Sequence, residues 1–130
     1  MKALLKNYHQ SPRKVRLVAD LIRGKSVARA KEELLFLPKK SSGAVGKLLD
    51  SAVANARVLG QKESDLYVKS IAVNKGTVLR RYRPFARGRA GSLRKTMSII
   101  SLELGAAAAP KKARTKKVAK KAEKKEAVAK

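Results

Sequence analysis

The sequence predicts an α+β fold with three helices, a first strand, and two later strands joined as a long β-hairpin. Three observations carry this prediction. Apolar residues recur at helical spacing in three segments between residues 11 and 59, and two later runs are rich in strand formers. A segment without any acidic residue connects those two runs. After residue 105 the composition changes to mostly Lys and Ala, which predicts a disordered basic tail.

The first elements are a short strand and a helix with a clear start. The sequence predicts a first strand over Lys2 to His9. Ser11 is placed as an N-cap and Pro12 as the first helical residue, where its missing N–H costs little. Gly24 is a natural end for this helix. Its predicted apolar stripe consists of Val15, Leu17, Val18, Leu21 and Ile22.

Two further helices follow in the same half of the chain. Ser26 is the predicted N-cap of the second, which ends before Pro38. The third begins at Ser41 or Ser42 and closes at Gly60. The predicted core positions are Val27, Ala30, Leu34 and Leu37 in the second helix, and Val45, Leu48, Leu49, Ala52, Val53, Ala56 and Leu59 in the third.

The two later runs favour strands. Leu66–Val73 is rich in strand formers, and apolar residues alternate between Ser98 and Leu104. If the runs pair antiparallel, residues 74–97 become a hairpin with few core residues. About ten residues per arm would extend about 30 Å from the body. Pro84, Gly88 and Gly91 mark its distal turn.

The charge of the chain indicates a polyanionic partner. Its 33 Lys and Arg against 9 Asp and Glu give a formal net charge of +24. Residues 80–95 carry seven cations, and no acid occurs between Asp65 and Glu103. Like charges repel unless a polyanion neutralises them, and arginine pairs bidentately with phosphate. The segment is therefore interpreted as an RNA-contacting element.

The charge pattern predicts two sets of residues that contact RNA. In the hairpin they are Arg80, Arg81, Tyr82, Arg83, Arg87, Gly88, Arg89, Arg94 and Lys95. The glycines Gly88 and Gly91 allow close backbone approach, and Tyr82 and Phe85 have rings that can stack on bases. For Tyr82, packing across the hairpin is an equal alternative. A second candidate surface on the first helix consists of Arg13, Lys14, Arg16, Arg23 and Lys25, for which a solvated charged face is the alternative.

Other function classes have little support in the sequence. There is no Cys, and His9 is the only histidine, so we expect no metal site, no cofactor and no catalytic residue. No apolar run is long enough for a membrane span, and the N-terminus does not resemble a signal peptide, so a cytosolic location is the default. A histone-like, DNA-compacting protein is the runner-up, because the Lys/Ala tail resembles a linker-histone tail. A membrane-surface protein would need a bulky apolar helix face that this tail lacks.

Three motifs occur together and in order. They are Ser11–Gly24, Leu49–Ala56, and Arg83–Ala90 followed by Arg94–Thr96. In sequence, order and spacing they resemble the L-twenty-two family of large-subunit ribosomal proteins, bacterial branch, over about residues 2–104. Two positions depart from the family pattern: Phe85 stands where Arg is usual, and Met97-Ser98 where Ser-His is usual.

The resemblance implies a small antiparallel sheet packed on three helices in an rRNA-binding domain, residues 1–105, with the protruding hairpin 74–97 and a tail, 106–130. It also implies a structural, non-enzymatic role in the cytoplasm, on the large subunit, in which the protein binds rRNA, supports assembly and contacts neighbouring ribosomal proteins. The hairpin tip would line the exit tunnel and meet the nascent polypeptide. Carried onto this sequence, the tunnel-lining residues are Leu79, Arg80, Arg81, Pro84, Phe85, Ala86, Arg87, Gly88, Arg89, Ala90 and Gly91.

Overall fold

The computed structural model describes residues 1–106 and shows three helices against a three-stranded sheet. The elements are β1 (Lys2–Tyr8), α1 (Pro12–Ile22), α2 (Val27–Phe36), α3 (Ser42–Val58), β2 (Leu66–Pro84) and β3 (Ala90–Ala106). The strand order is β1-β3-β2, and both pairings are antiparallel. The predicted α+β fold is confirmed. Ala106 still pairs with Leu66, and the rest of the predicted tail lies outside the described residues.

One apolar core joins the helices to the sheet. Val15, Val18 and Ile22 of α1 are buried there, together with alternate residues of β3 such as Ile100 and Leu102. All three helices contribute to this cluster, because each presents its predicted stripe to it. The core therefore accounts for why three separately amphipathic segments fold as one unit.

The predicted stripes were wrong at two leucines. Leu17 is 67% exposed because it lies two residues after Val15, which turns it away from the buried face of α1. Leu59 is 66% exposed because α3 ends at Val58. Leu21 and Leu37 are only partly buried.

The helix boundaries match the prediction, although the capping serines act differently from expectation. Ser11 and Ser26 occupy the N-cap positions of α1 and α2, but neither side chain makes a capping hydrogen bond. Gly24 follows α1 with a φ of 76°, in the left-handed region that glycine tolerates, and its N–H donates to the Val68 carbonyl. This turn attaches the end of α1 to β2.

A β-bulge separates the body of the sheet from the protruding hairpin. Lys75 pairs with Ser98, and the next pair on the tip side is Val78 with Thr96, so Gly76 and Thr77 together oppose Met97. A Cβ at Gly76 would lie 3.3 Å from the Met97 carbonyl oxygen, which accounts for glycine there. Bulges bend a strand and increase its twist, so this one sets the direction of the hairpin.

Candidate nucleic-acid interface

The distal hairpin carries cations on both of its faces. Its strands pair without further interruption from Val78↔Thr96 to Pro84↔Ala90. Alternation puts Arg80 and Arg94 on one face with Tyr82, and Arg81, Arg83 and Lys95 on the other. These side chains belong to exposed residues, and no acidic residue within residues 1–106 forms an ion pair with any of them.

The pairing register also sets like charges against each other. Arg80 lies directly opposite Arg94 on the same face. Like charges in this cross-strand position destabilise the pairing of the strands. A polyanion bound along the hairpin would remove this cost, because each guanidinium would then face a phosphate.

A short turn closes the hairpin tip. The Phe85 N–H donates to the Arg89 carbonyl at 2.7 Å, and Arg87 and Gly88 adopt φ values of 59° and 69°. The ring of Phe85 lies over Gly91, where an added Cβ would come within 3.0 Å of it. This packing shapes the tip while the residue stays 67% exposed.

The ring of Tyr82 makes too little contact within the protein to be packed across the hairpin. It pairs with Ser92, whose short side chain offers little surface for the ring, and it is 76% exposed. This geometry favours a ring available for base stacking over one packed across the hairpin.

The cationic residues predicted on α1 divide into two groups. Nε and Nη2 of Arg16 donate to the Val73 carbonyl at 3.2 and 3.1 Å, and Nη2 of Arg23 donates to the Ile71 carbonyl at 3.3 Å. Lys25 forms an ion pair with Glu33 at 2.6 Å. Only Arg13 and Lys14 remain without an internal side-chain partner among the described residues.

A cleft of about 530 Å³ joins this helix to the root of the hairpin. Its lining residues are His9, Gln10, Ser11, Lys14, Lys40, Leu79, Arg94, Lys95, Thr96 and Met97. The candidate residues Lys14 and Lys95 are thus brought together, whereas the side chain of Arg94 lies on the other face of β3, beside Arg80. His9, Gln10, Lys40 and Thr96 had not been predicted in the interface. No periodic pattern connects these separate segments, and the fold alone makes them neighbours.

Five of the seven acidic residues among residues 1–106 form ion pairs within the body. Glu63 accepts hydrogen bonds from Lys31, at 2.7 Å, and from Arg57. These bonds hold the pKa of Glu63 below its usual value and raise the pKa of Lys31. Hydrogen bonding to Lys2 likewise lowers the pKa of Glu103. These ion pairs involve β1, α2, α3 and the end of β3, and they leave the hairpin cations uncompensated.

Within residues 1–106 no group of acidic or histidine side chains is arranged to hold a metal ion. None of the helices in the same part of the chain is long and apolar enough to cross a membrane.

Comparison with known proteins then identifies the family. Residues 3–105 match the family described as Ribosomal protein L22p/L17e. The chain belongs to this family. The L22p/L17e match includes α1, the bulge and the whole hairpin, and it confirms the resemblance seen in the three motifs.

Relatives in three bacteria are named large ribosomal subunit protein uL22. The relative from Pelobacter propionicus is 52% identical over 103 residues, covering 78% of this chain and 93% of the relative. That from Bdellovibrio bacteriovorus is 50% identical over 105 residues, covering 80% and 96%. That from Geotalea uraniireducens is 53% identical over 95 residues, covering 72% and 86%.

Proposed function

We propose that this L22p/L17e-family chain is a structural, non-enzymatic constituent of the large ribosomal subunit in the bacterial cytoplasm, and that it binds large-subunit rRNA. The observation that carries the proposal is the distal hairpin, which is cationic on both faces and has no acidic partner among residues 1–106. A hairpin of this kind suits a position between RNA segments, because each face then meets phosphates.

The binding chemistry is phosphate neutralisation supplemented by stacking. Arginines along both faces pair with backbone phosphates, and the exposed ring of Tyr82 stacks on an unpaired base. One protein element that contacts RNA on two sides holds those segments at a fixed separation. We assign the protein's contribution to subunit assembly to this bridging.

The hairpin tip is proposed to line the nascent polypeptide exit tunnel. The turn at Ala86–Gly88 is the part farthest along the paired strands from the body, and all residues from Arg80 to Ala90 are exposed. In this position the tip acts on the nascent chain through shape and positive charge and forms or breaks no covalent bond.

Contacts with neighbouring ribosomal proteins are assigned to α2 and α3. Leu35 and Phe36 are strongly exposed at the end of α2, and Leu35 lines a groove with Glu32, Gly46 and Asp50. This groove combines apolar surface with as many basic as acidic side chains, and such a mixed surface suits a protein segment better than RNA.

Site-specific photo-crosslinking tests the proposal. A photoreactive phenylalanine analogue is placed at Tyr82, at Phe85 or, as a control, at Val58, which is exposed on α3. In purified ribosomes we expect position 82 to crosslink to large-subunit rRNA, and position 85 to crosslink to rRNA and to a radiolabelled nascent chain. Crosslinking at 82 and 85 no stronger than at 58 would refute the placement of the hairpin.

A further inference from the structure

The cleft at the hairpin root concentrates positive charge from separate parts of the chain. Lys14 comes from α1, Lys40 from the segment between α2 and α3, and Lys95 from β3. No acidic residue lines it, and none of these three lysines forms an ion pair within residues 1–106. Cations collected around a concave space without a counter-charge favour a bound anion.

The wall of the cleft is held by hydrogen bonds that do not depend on a ligand. The buried Ser98 hydroxyl donates to the Gln10 carbonyl. The Tyr8 hydroxyl lies 3.0 Å from Gln10 Oε1 and 3.3 Å from the Lys40 carbonyl oxygen, which are two acceptors for its single proton. These contacts join β1, β3 and the backbone of Lys40, so the cations are positioned on a preformed frame.

The cleft also offers neutral hydrogen-bond donors. The Ser11 side chain makes no capping bond to α1, so its hydroxyl is free to donate. Gln10 also lines the cleft, with a side-chain amide whose oxygen accepts from Tyr8 and whose nitrogen remains a donor. Neutral donors combined with several lysines match the oxygens of a phosphodiester, which carries one charge and several acceptor oxygens.

We propose that this cleft is a binding site for a single backbone phosphate of RNA, which fastens the hairpin root to the helical body. The inference rests on the proposed function, since it names one site within the rRNA contact. Its consequence is mechanical. A phosphate held between Lys14 and Lys40 on one wall and Lys95 on the other fixes the angle at which the hairpin leaves the sheet.

The first experiment needs no ribosomal RNA. The full chain, labelled for NMR, is titrated with inorganic phosphate against chloride at constant ionic strength. We expect saturable shifts confined to the amides of residues 9–14, 40 and 94–97. Shifts of equal size at the tip cations Arg83, Arg87 and Arg89 would overturn the site, as would no saturable response at all.

The second experiment locates the RNA phosphate. Lys40→Gln is compared with Lys39→Gln, a neighbouring exposed lysine that does not line the cleft. RNA carrying single neutral methylphosphonates identifies which phosphates each protein needs. We expect Lys40→Gln to lower the affinity for RNA by about tenfold. We also expect one methylphosphonate to weaken RNA binding by the wild type and by Lys39→Gln but to have no effect on binding by Lys40→Gln.

The two experiments separate failure of the cleft from failure of the proposed function. If Lys40→Gln keeps the affinity and the methylphosphonate pattern of Lys39→Gln while hairpin variants lose binding, the cleft proposal is wrong and rRNA binding stands. If the wild type shows no preference for rRNA, the proposed function fails, and the phosphate titration still decides whether the cleft binds the anion.

Discussion

The arginines of α1 have two different roles, which are distinguished by their hydrogen-bond partners. Arg16 and Arg23 donate to carbonyl oxygens of β2 and so hold the edge strand against α1. Arg13 is exposed on the same helix and has no such bond among the described residues. The sequence predicted all three as RNA contacts, because residue type and helix face do not reveal an unpaired carbonyl on a distant strand.

Replacing these arginines should separate stability from binding. Arg16→Gln removes the paired bonds to the Val73 carbonyl and should lower the free energy of unfolding by about 1 kcal/mol. Arg13→Gln should leave stability unchanged and reduce the salt dependence of rRNA binding by about one unit of slope. Urea denaturation and salt-dependent binding measure the two effects. Equal stability of both variants would contradict the assigned role of Arg16.

Arg80 and Arg94 face each other across the hairpin, and this contact leads to a prediction about stability and rRNA affinity. Arg80→Gln removes a like-charge contact and should stabilise the free protein by a few tenths of a kcal/mol while weakening rRNA binding. Arg29→Gln, an exposed position on α2, is the control and should change neither quantity appreciably. The prediction is refuted if Arg80→Gln destabilises the free protein or leaves its rRNA affinity at the wild-type level.

Among the elements, the hairpin was predictable in position but not in direction. Strand-forming runs on either side of an acid-free segment indicated residues 74–97, and turn residues indicated the tip. The bulge at Gly76 and Thr77 depends on register, which a pattern of period two cannot specify across two strands. The direction of the hairpin is therefore a property of the folded sheet.

Deleting Thr77 tests the role of the bulge. The distal pairs from Val78↔Thr96 onward can form unchanged, but without the extra residue the strand loses its local bend. We expect a folded protein that competes poorly with the wild type for incorporation into large subunits, measured by mass spectrometry of ribosomes from cells that express both. Thr77→Ala keeps the bulge and should compete normally. Normal incorporation of the deletion variant would show that the bend is dispensable.

At the scale of the whole fold, residues 1–106, the ion pairs are confined to the body and none lies on the hairpin. The cations of the hairpin and the cleft have no ion-pair partner within residues 1–106, whereas Glu63, Glu103 and Asp50 form ion pairs in the body. The net charge of +24 predicted a polyanionic partner. It could not predict the cleft, because Lys14, Lys40 and Lys95 become neighbours only through tertiary packing.

These ion pairs predict how stability changes in acid. The pKa of Glu63 is lowered from its usual 4.5, so the folded state binds that proton less readily than the unfolded state. The contribution of Glu63 to stability is therefore fully present above pH 4.5 and is lost as the pH falls through the lowered folded-state pKa. For an exposed network it should amount to less than about 1 kcal/mol. Denaturation curves of wild type and Glu63→Gln should converge in acid, and a constant difference down to pH 2 would contradict this assignment.

We propose that this chain is an integral part of the large ribosomal subunit and that its cationic hairpin holds it there. Sedimentation of cell lysate through a sucrose gradient at high salt, with quantification of the chain in each fraction, tests it most directly. We predict stoichiometric comigration with the large subunit that survives the salt. Release to the top of the gradient, or migration with nucleoid DNA, would contradict the account.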